Sequence, residues 1–129
     1  MVLDDLSEME ETHVDCLGGT LRHISAGFVG ALAECRLERT TFNTVFRGAK
    51  RVLPTTVCEA TQVHARLKEM TCSRAGEVNV LAYTSKLNHA PFQAWARLPE
   101  NWTLLNDAAA TEDQPKDFRA SGVQILIVE

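Results

Sequence analysis

The sequence predicts a mainly α protein: a long helix and a returning helix forming a hairpin or bundle with a coiled-coil-like seam, followed by a short C-terminal β-strand. Three observations predict it. Apolar residues recur in heptads from Val14 to Val52, a second amphipathic stretch follows Pro54, and the chain closes on the β-branched run Val123-Gln124-Ile125-Leu126-Ile127-Val128. A chain of 129 residues can bury roughly 65–70% of its unfolded surface in one core, which leaves no room for a multidomain enzyme. Hydrophobic residues at 45% and charged residues at 23% are globular values.

The first helix begins near Glu8, because Ser7 and Glu10 have capping-box spacing. Its seam consists of Val14, Leu21, Phe28, Cys35, Phe42 and Ala49 with Leu17, Ile24, Ala31, Glu38, Val45 and Val52, and eleven of these twelve are apolar. Gly18, Gly19, Gly27, Gly30 and Gly48 lie off the seam, and each costs a helix about 1 kcal/mol relative to alanine. Such a helix needs packing on more than one side. Ala26, Gly30 and Ala33 offer a second, small-residue face, and Pro54 ends the element.

Thr56 and Glu59 repeat the capping spacing, and Ala60, Val63, Leu67 and Met70 follow at helical intervals up to Gly76. So short a link makes the two helices antiparallel. That geometry puts Cys35 level with Cys72 and holds Cys16 and Cys35 about 28 Å apart along one helix. Residues Glu77 to Leu87 fit a strand by Val78, Val80 and Ala82, or a helix by Val78, Leu81, Ala82 and Ser85; the helix is favoured. Pro91 suits a first helical position, with Phe92, Trp95 and Leu98 on a short turn after it. Trp102 reads as a packing residue.

The expected organisation is a helical domain over 1–109, a polar loop over 110–120 and a strand over 121–129. With apolar side chains on both faces, that strand needs two covers, and the expectation is that it adds to another protein or a second copy. Pairing with Val78 to Thr84 is the internal alternative.

No motif carries a clear chemistry. Cys16, Cys35, Cys58 and Cys72 are separated by 18, 22 and 13 residues, unlike zinc ligands, and read as reduced thiols. Glu10-x-x-His13 has a di-iron spacing without the second motif such sites require. His23, His64 and His89 sit in different segments, and Cys58 at a helix start is the best isolated nucleophile. G-x-G-x-x-G, Walker and H-E-x-x-H motifs are missing.

Charge is asymmetric. Asp4, Asp5, Glu8, Glu10, Glu11 and Asp15 precede the first basic residue, Arg22, whereas Arg36, Arg39, Arg47, Lys50 and Arg51 crowd the far end of the proposed helix. Helix-dipole complementarity explains this, and the basic end also suits a protein partner. A net charge of -4 gives no overall attraction for nucleic acid, which is not expected as a partner.

The expected function is a non-catalytic subunit or adaptor of a larger assembly. It would bind a protein partner or a second copy through Phe28, Phe42, Val45, Arg47, Lys50, Arg51, Ile125 and Ile127. No catalytic residue, metal or cofactor is expected. An acidic N-terminus and the lack of any apolar run of roughly 18 residues suggest an intracellular, cytoplasmic protein without a membrane span. The alternative is a small helical enzyme or ligand-binding domain with a pocket near Cys58, His64 and Trp95.

Overall fold

The computed structural model describes residues 2–22, 27–59, 61–87, 94–107 and 116–128, and its architecture is α/β, which overturns the mainly α hairpin. The chain divides into two units, Met1–Arg39 and Thr40–Glu129.

The first unit holds α1 (Val2–Ser7), an antiparallel pair β1 (Thr20–Arg22) and β2 (Gly27–Val29), and α2 (Ala31–Leu37). No helix runs from Val14 to Val52. The glycines that were only tolerable in a helix turn out to forbid one. Gly19 and Gly30 have φ of +104° and +106°, a region closed to most side chains, and a Cβ on Gly19 would meet the Val29 carbonyl oxygen at 2.7 Å. They bracket the β1–β2 hairpin. Cys16 and Cys35 are therefore not separated by continuous helix. Residues 23–26, including seam residue Ile24 and Ala26 of the small-residue face, lie outside the described residues.

The second unit is built on four parallel strands in the order β3 (Phe42–Gly48), β6 (Ala75–Ala82), β8 (Thr103–Asp107) and β9 (Gln124–Val128). Parallel neighbours need long crossovers. The first crossover contains β4 (Arg51–Val52), β5 (Thr56–Glu59) and α3 (Gln62–Ser73); β4 and β5 join β7 (Ala94–Arg97) in a small antiparallel sheet. The last contains α4 (Lys116–Ala120).

A helix does follow Pro54, shifted along the chain, but it packs on strands and does not return along a first helix. Thr61 caps α3 by accepting from the His64 N–H at 3.3 Å, while Thr56 and Glu59, read as the cap, belong to β5. Ala65, Leu67, Lys68, Thr71 and Cys72 are buried and Val63 is exposed, so α3 presents one face to the sheets.

Residues Glu77 to Leu87 form most of β6 and a 3-10 turn, Thr84–Lys86, not the favoured helix. Ala94 and Ala96 are buried and Trp95 and Arg97 exposed, the period of a strand where a short helix was expected; Pro91 and Phe92 lie outside the described residues. Residues 116–120, within the expected polar loop, are α4. β9 pairs in parallel with β8, from Thr103↔Gln124 to Asp107↔Val128, so its partner within the chain is β8 and not Val78 to Thr84.

The core lies on one face of the parallel sheet, where Val78, Val80, Ala82 and Leu104 meet Val52, Val57, Ala65 and Leu98. Trp102 is a packing residue as expected. Its indole meets Phe118 edge-on at 6.0 Å between centroids and donates to the Pro54 carbonyl at 3.0 Å.

Candidate functional site

In open parallel sheets, ligands bind in the crevice beyond the carboxyl ends of the strands, where loops diverge and backbone groups are unpaired. The second unit has such a crevice, of about 440 Å³, at the carboxyl ends of β6, β8 and β9. One wall is apolar. Leu81, Leu105 and Leu126 stand in register across three strands, and Leu81, Leu105 and Val128 line the crevice.

Polar groups converge on its rim. Asp107 ends β8, and its Oδ1 accepts from the Thr84 N–H at 2.9 Å and the Thr84 hydroxyl at 2.6 Å. These bonds, the hydroxyl first, hold the carboxyl below the usual carboxylate range. Lys86 closes the 3-10 turn with Nζ 5.8 Å from the centre of the Tyr83 ring, within cation–π range. Behind them Asn106 is 1% exposed, and its Nδ2 donates to the Ala82 carbonyl at 2.8 Å and lies 3.4 Å from Asp107 Oδ1. With both donors directed at acceptors, the amide orientation is fixed. Oδ1 is left buried without a hydrogen-bond partner among the described residues. Stability alone does not favour such an arrangement, and native proteins concentrate these exceptions at functional sites.

A second polar constellation joins β3, β5 and α3. Glu59 is 1% exposed and accepts from Lys68 Nζ, which also donates to the Gly48 carbonyl. His64 Nδ1 lies 3.4 Å from the other Glu59 oxygen. Arg47 donates to Thr71 Oγ1, which donates in turn to the Leu67 carbonyl at 2.8 Å. Burial lowers the Lys68 pKa against the opposing pull of Glu59, lowers that of Arg47, and raises the Cys72 thiol against the nearby Arg47 and Lys68 cations. This network ties three elements together from inside.

The residues expected to bind partners are dispersed. Phe28 is half-buried on β2 in the first unit. In the second, Phe42 and Val45 lie on β3 with Val45 buried, Arg47 joins the internal network, Lys50 is exposed between strands, and Arg51 is half-buried on β4. Ile125 is half-buried and Ile127 exposed on β9. Of the alternative pocket, Cys58 on β5 and Trp95 on β7 are register partners, with Cys58 buried and Trp95 exposed. His64 faces Glu59 rather than a shared cavity with them. Among the described residues no group of three His, Cys, Asp or Glu side chains is placed to hold a metal, and no helix is long and apolar enough to cross a membrane. His23 and His89 lie outside the described residues.

Sequence reading missed Tyr83, Thr84, Lys86, Asn106 and Asp107. The available signal was polar residues directly following two apolar runs, Val78 to Ala82 and Thr103 to Leu105, and it required both runs to be read as strands.

The family described as the DeoR C terminal sensor domain matches residues 1–108. Among curated proteins, the chain is 30% identical over 118 residues to a protein of Haloferax volcanii named HTH-type transcriptional regulator GlpR, covering 91% of this chain and 46% of that protein. It is 28% identical over 113 residues to the lactose phosphotransferase system repressor of Staphylococcus aureus, covering 86% and 44%. The Streptococcus mutans protein of the same name is 27% identical over 100 residues, covering 78% and 40%. The chain thus spans about half the length of the curated relatives it matches or somewhat less. No solved structure matches it at a significant level.

Proposed function

This chain belongs to the DeoR C-terminal sensor domain family, and from that premise we propose that it is the effector-sensing part of a transcriptional repressor, taking a small phosphorylated carbohydrate in the crevice beyond β6, β8 and β9. The family match and the regulator names of the relatives overturn the expected scaffold subunit and its coiled coil. They also remove the ground for discounting nucleic acid: DNA is a proposed partner of the regulator as a whole, and a cytoplasmic location is proposed with it.

The observation that carries the ligand class is the pairing on one rim of a carboxylate with a cation. Asp107 Oδ1 is taken up by Thr84, which orients the carboxyl group so that its second oxygen can accept a sugar hydroxyl. Lys86 supplies the positive charge a phosphate requires. The Leu81 and Leu105 wall suits the C–H face of a sugar ring. The name lactose phosphotransferase system repressor, borne by relatives from two species, points to the same chemistry. A homo-oligomer is proposed with it, since β9 forms the outer edge of its sheet and Leu126, Ile127 and Val128 are each about half exposed at 48%, 49% and 54%.

Calorimetric titration with hexose 6-phosphates, the parent hexoses and inorganic phosphate tests the reading. A hexose phosphate is expected to bind tighter than either component, with Lys86→Ala and Asp107→Ala each weakening it about tenfold or more, as for loss of a charged hydrogen bond. Absence of binding by every phosphorylated sugar, or unchanged affinity in both variants, would overturn it.

A further inference from the structure

In the second unit, α3 lies beside the free side of β7. β7 is the outer strand of the small sheet, and its Arg97 N–H donates at 2.7 Å to Glu69 Oε2 on the helix rather than to a further strand. On α3, Gln62, Ala65, Arg66 and Glu69 follow at three- and one-residue steps that bring all four to one helix face. The short residues make a floor. Ala65 and Ala94 are each 4% exposed, and with Gln62, Arg66, Glu69 and Trp95 they line a hollow of about 260 Å³. It shares no lining residue with the crevice beyond β6, β8 and β9.

The chemistry of this lining is selective. Trp95 is 54% exposed and brings a broad apolar ring to a hollow whose other long side chains are all polar. Arg66 and Glu69 balance in charge, so a neutral ligand leaves neither sign in excess. Gln62 offers donors and an acceptor, Arg66 offers donors, and the Glu69 carboxylate has lone pairs beyond the one that Arg97 engages. The group that answers donors and acceptors together is the hydroxyl. A sugar ring carries several of them around an apolar C–H face, and a volume below the roughly 300 Å³ at which drug-sized pockets begin suits a single ring. We propose that the hollow between α3 and β7 is a second ligand site, for a neutral pyranose, with the C–H face of the ring on the Trp95 indole and its hydroxyls on Gln62, Arg66 and Glu69. The bond from Arg97 holds the carboxylate against a strand, which fixes one hydroxyl position in advance. This site is independent of the phosphorylated ligand proposed for the crevice.

Saturation-transfer NMR on the full chain, with glucose, galactose and mannose as probes, tests the proposal. At least one hexose is expected to give a saturable signal with a dissociation constant on the order of 1 mM, ordinary for so small a ligand. Trp95→Ala and Glu69→Gln, with unchanged circular dichroism, should each weaken binding about fivefold or more. Lys86→Ala and Asp107→Ala should leave it unaltered, because they change the crevice alone. No saturable signal from any of the three hexoses would overturn the proposal, as would binding that survives both Trp95→Ala and Glu69→Gln or is lost in Lys86→Ala or Asp107→Ala. Tighter binding of tetramethylammonium than of every hexose would overturn it too, in favour of a cation held by the indole and Glu69.

Discussion

Thr84 and Asp107 fasten together the ends of two neighbouring parallel strands. Their double hydrogen bond lies just beyond the point where Ala82 of β6 pairs with Asn106 of β8. The same contact sets the start of the 3-10 turn that carries Lys86, so it links strand pairing to the position of the crevice cation. Thr84→Val keeps the backbone bond and removes the hydroxyl one. It is expected to weaken effector affinity about 5- to 10-fold, the equivalent of about 1–1.5 kcal/mol, with little change in melting temperature. Calorimetric titration beside a thermal melt checks both.

Acid should loosen this contact, and the sign follows from its cause. Thr84 lowers the folded-state pKa of Asp107, so the contribution is fully present above the ordinary carboxylate value of about 3.9 and is lost as pH falls through the lower folded value. The stability difference between the unaltered chain and Asp107→Asn should be constant above about pH 5 and shrink below about pH 4. Urea titrations across that range measure it; a difference that changed near neutral pH would contradict the assignment.

The internal network predicts a double-mutant result. Lys68→Met takes from the buried Glu59 carboxylate the cation bonded to it and leaves the Arg47 guanidinium and the His64 ring nearby, which should cost about 3–5 kcal/mol. Adding Glu59→Gln to Lys68→Met removes the stranded charge and should recover a large part of that loss. Chemical denaturation of the two single variants and the double variant supplies the cycle.

Phe118 has no exposed surface and meets Trp102 edge-on. Phe118→Ala should cost about 3–5 kcal/mol through the cavity it leaves. Trp102→Phe should cost less, and part of its loss is the indole bond to Pro54, worth about 1 kcal/mol. Urea midpoints rank the two.

Much of the local character was legible in the sequence. Val123 to Val128 reads as a strand from its β-branched residues, and Gln124–Val128 is one. Trp102 reads as core and is 1% exposed. A helix after Pro54 is legible too, and only its start was misplaced, because Thr56 and Thr61 both precede a helical apolar pattern and the backbone chose the second. The glycines were visible but their sign was not: Gly19 costs a helix stability, yet at φ +104° it makes the turn into β1.

Composition, period and turn chemistry are properties of neighbours in the chain, and these the sequence determined by itself: a globular chain, a C-terminal strand and a helix near Gln62 to Ser73. The heptad from Val14 to Val52 shows the limit, since apolar residues three and four apart serve one long helix or a succession of short strands joined by turns, and only the partners decide. β3 finds its partner in β6, from Phe42↔Ala75 to Gly48↔Leu81, and β8 finds β9 across α4. Such pairings are non-local, and their stability comes from the buried face of a whole sheet rather than from any one segment. The crevice depends on them entirely. Lys86 and Asp107 are 21 positions apart in the chain, and they line one site because parallel strands end side by side.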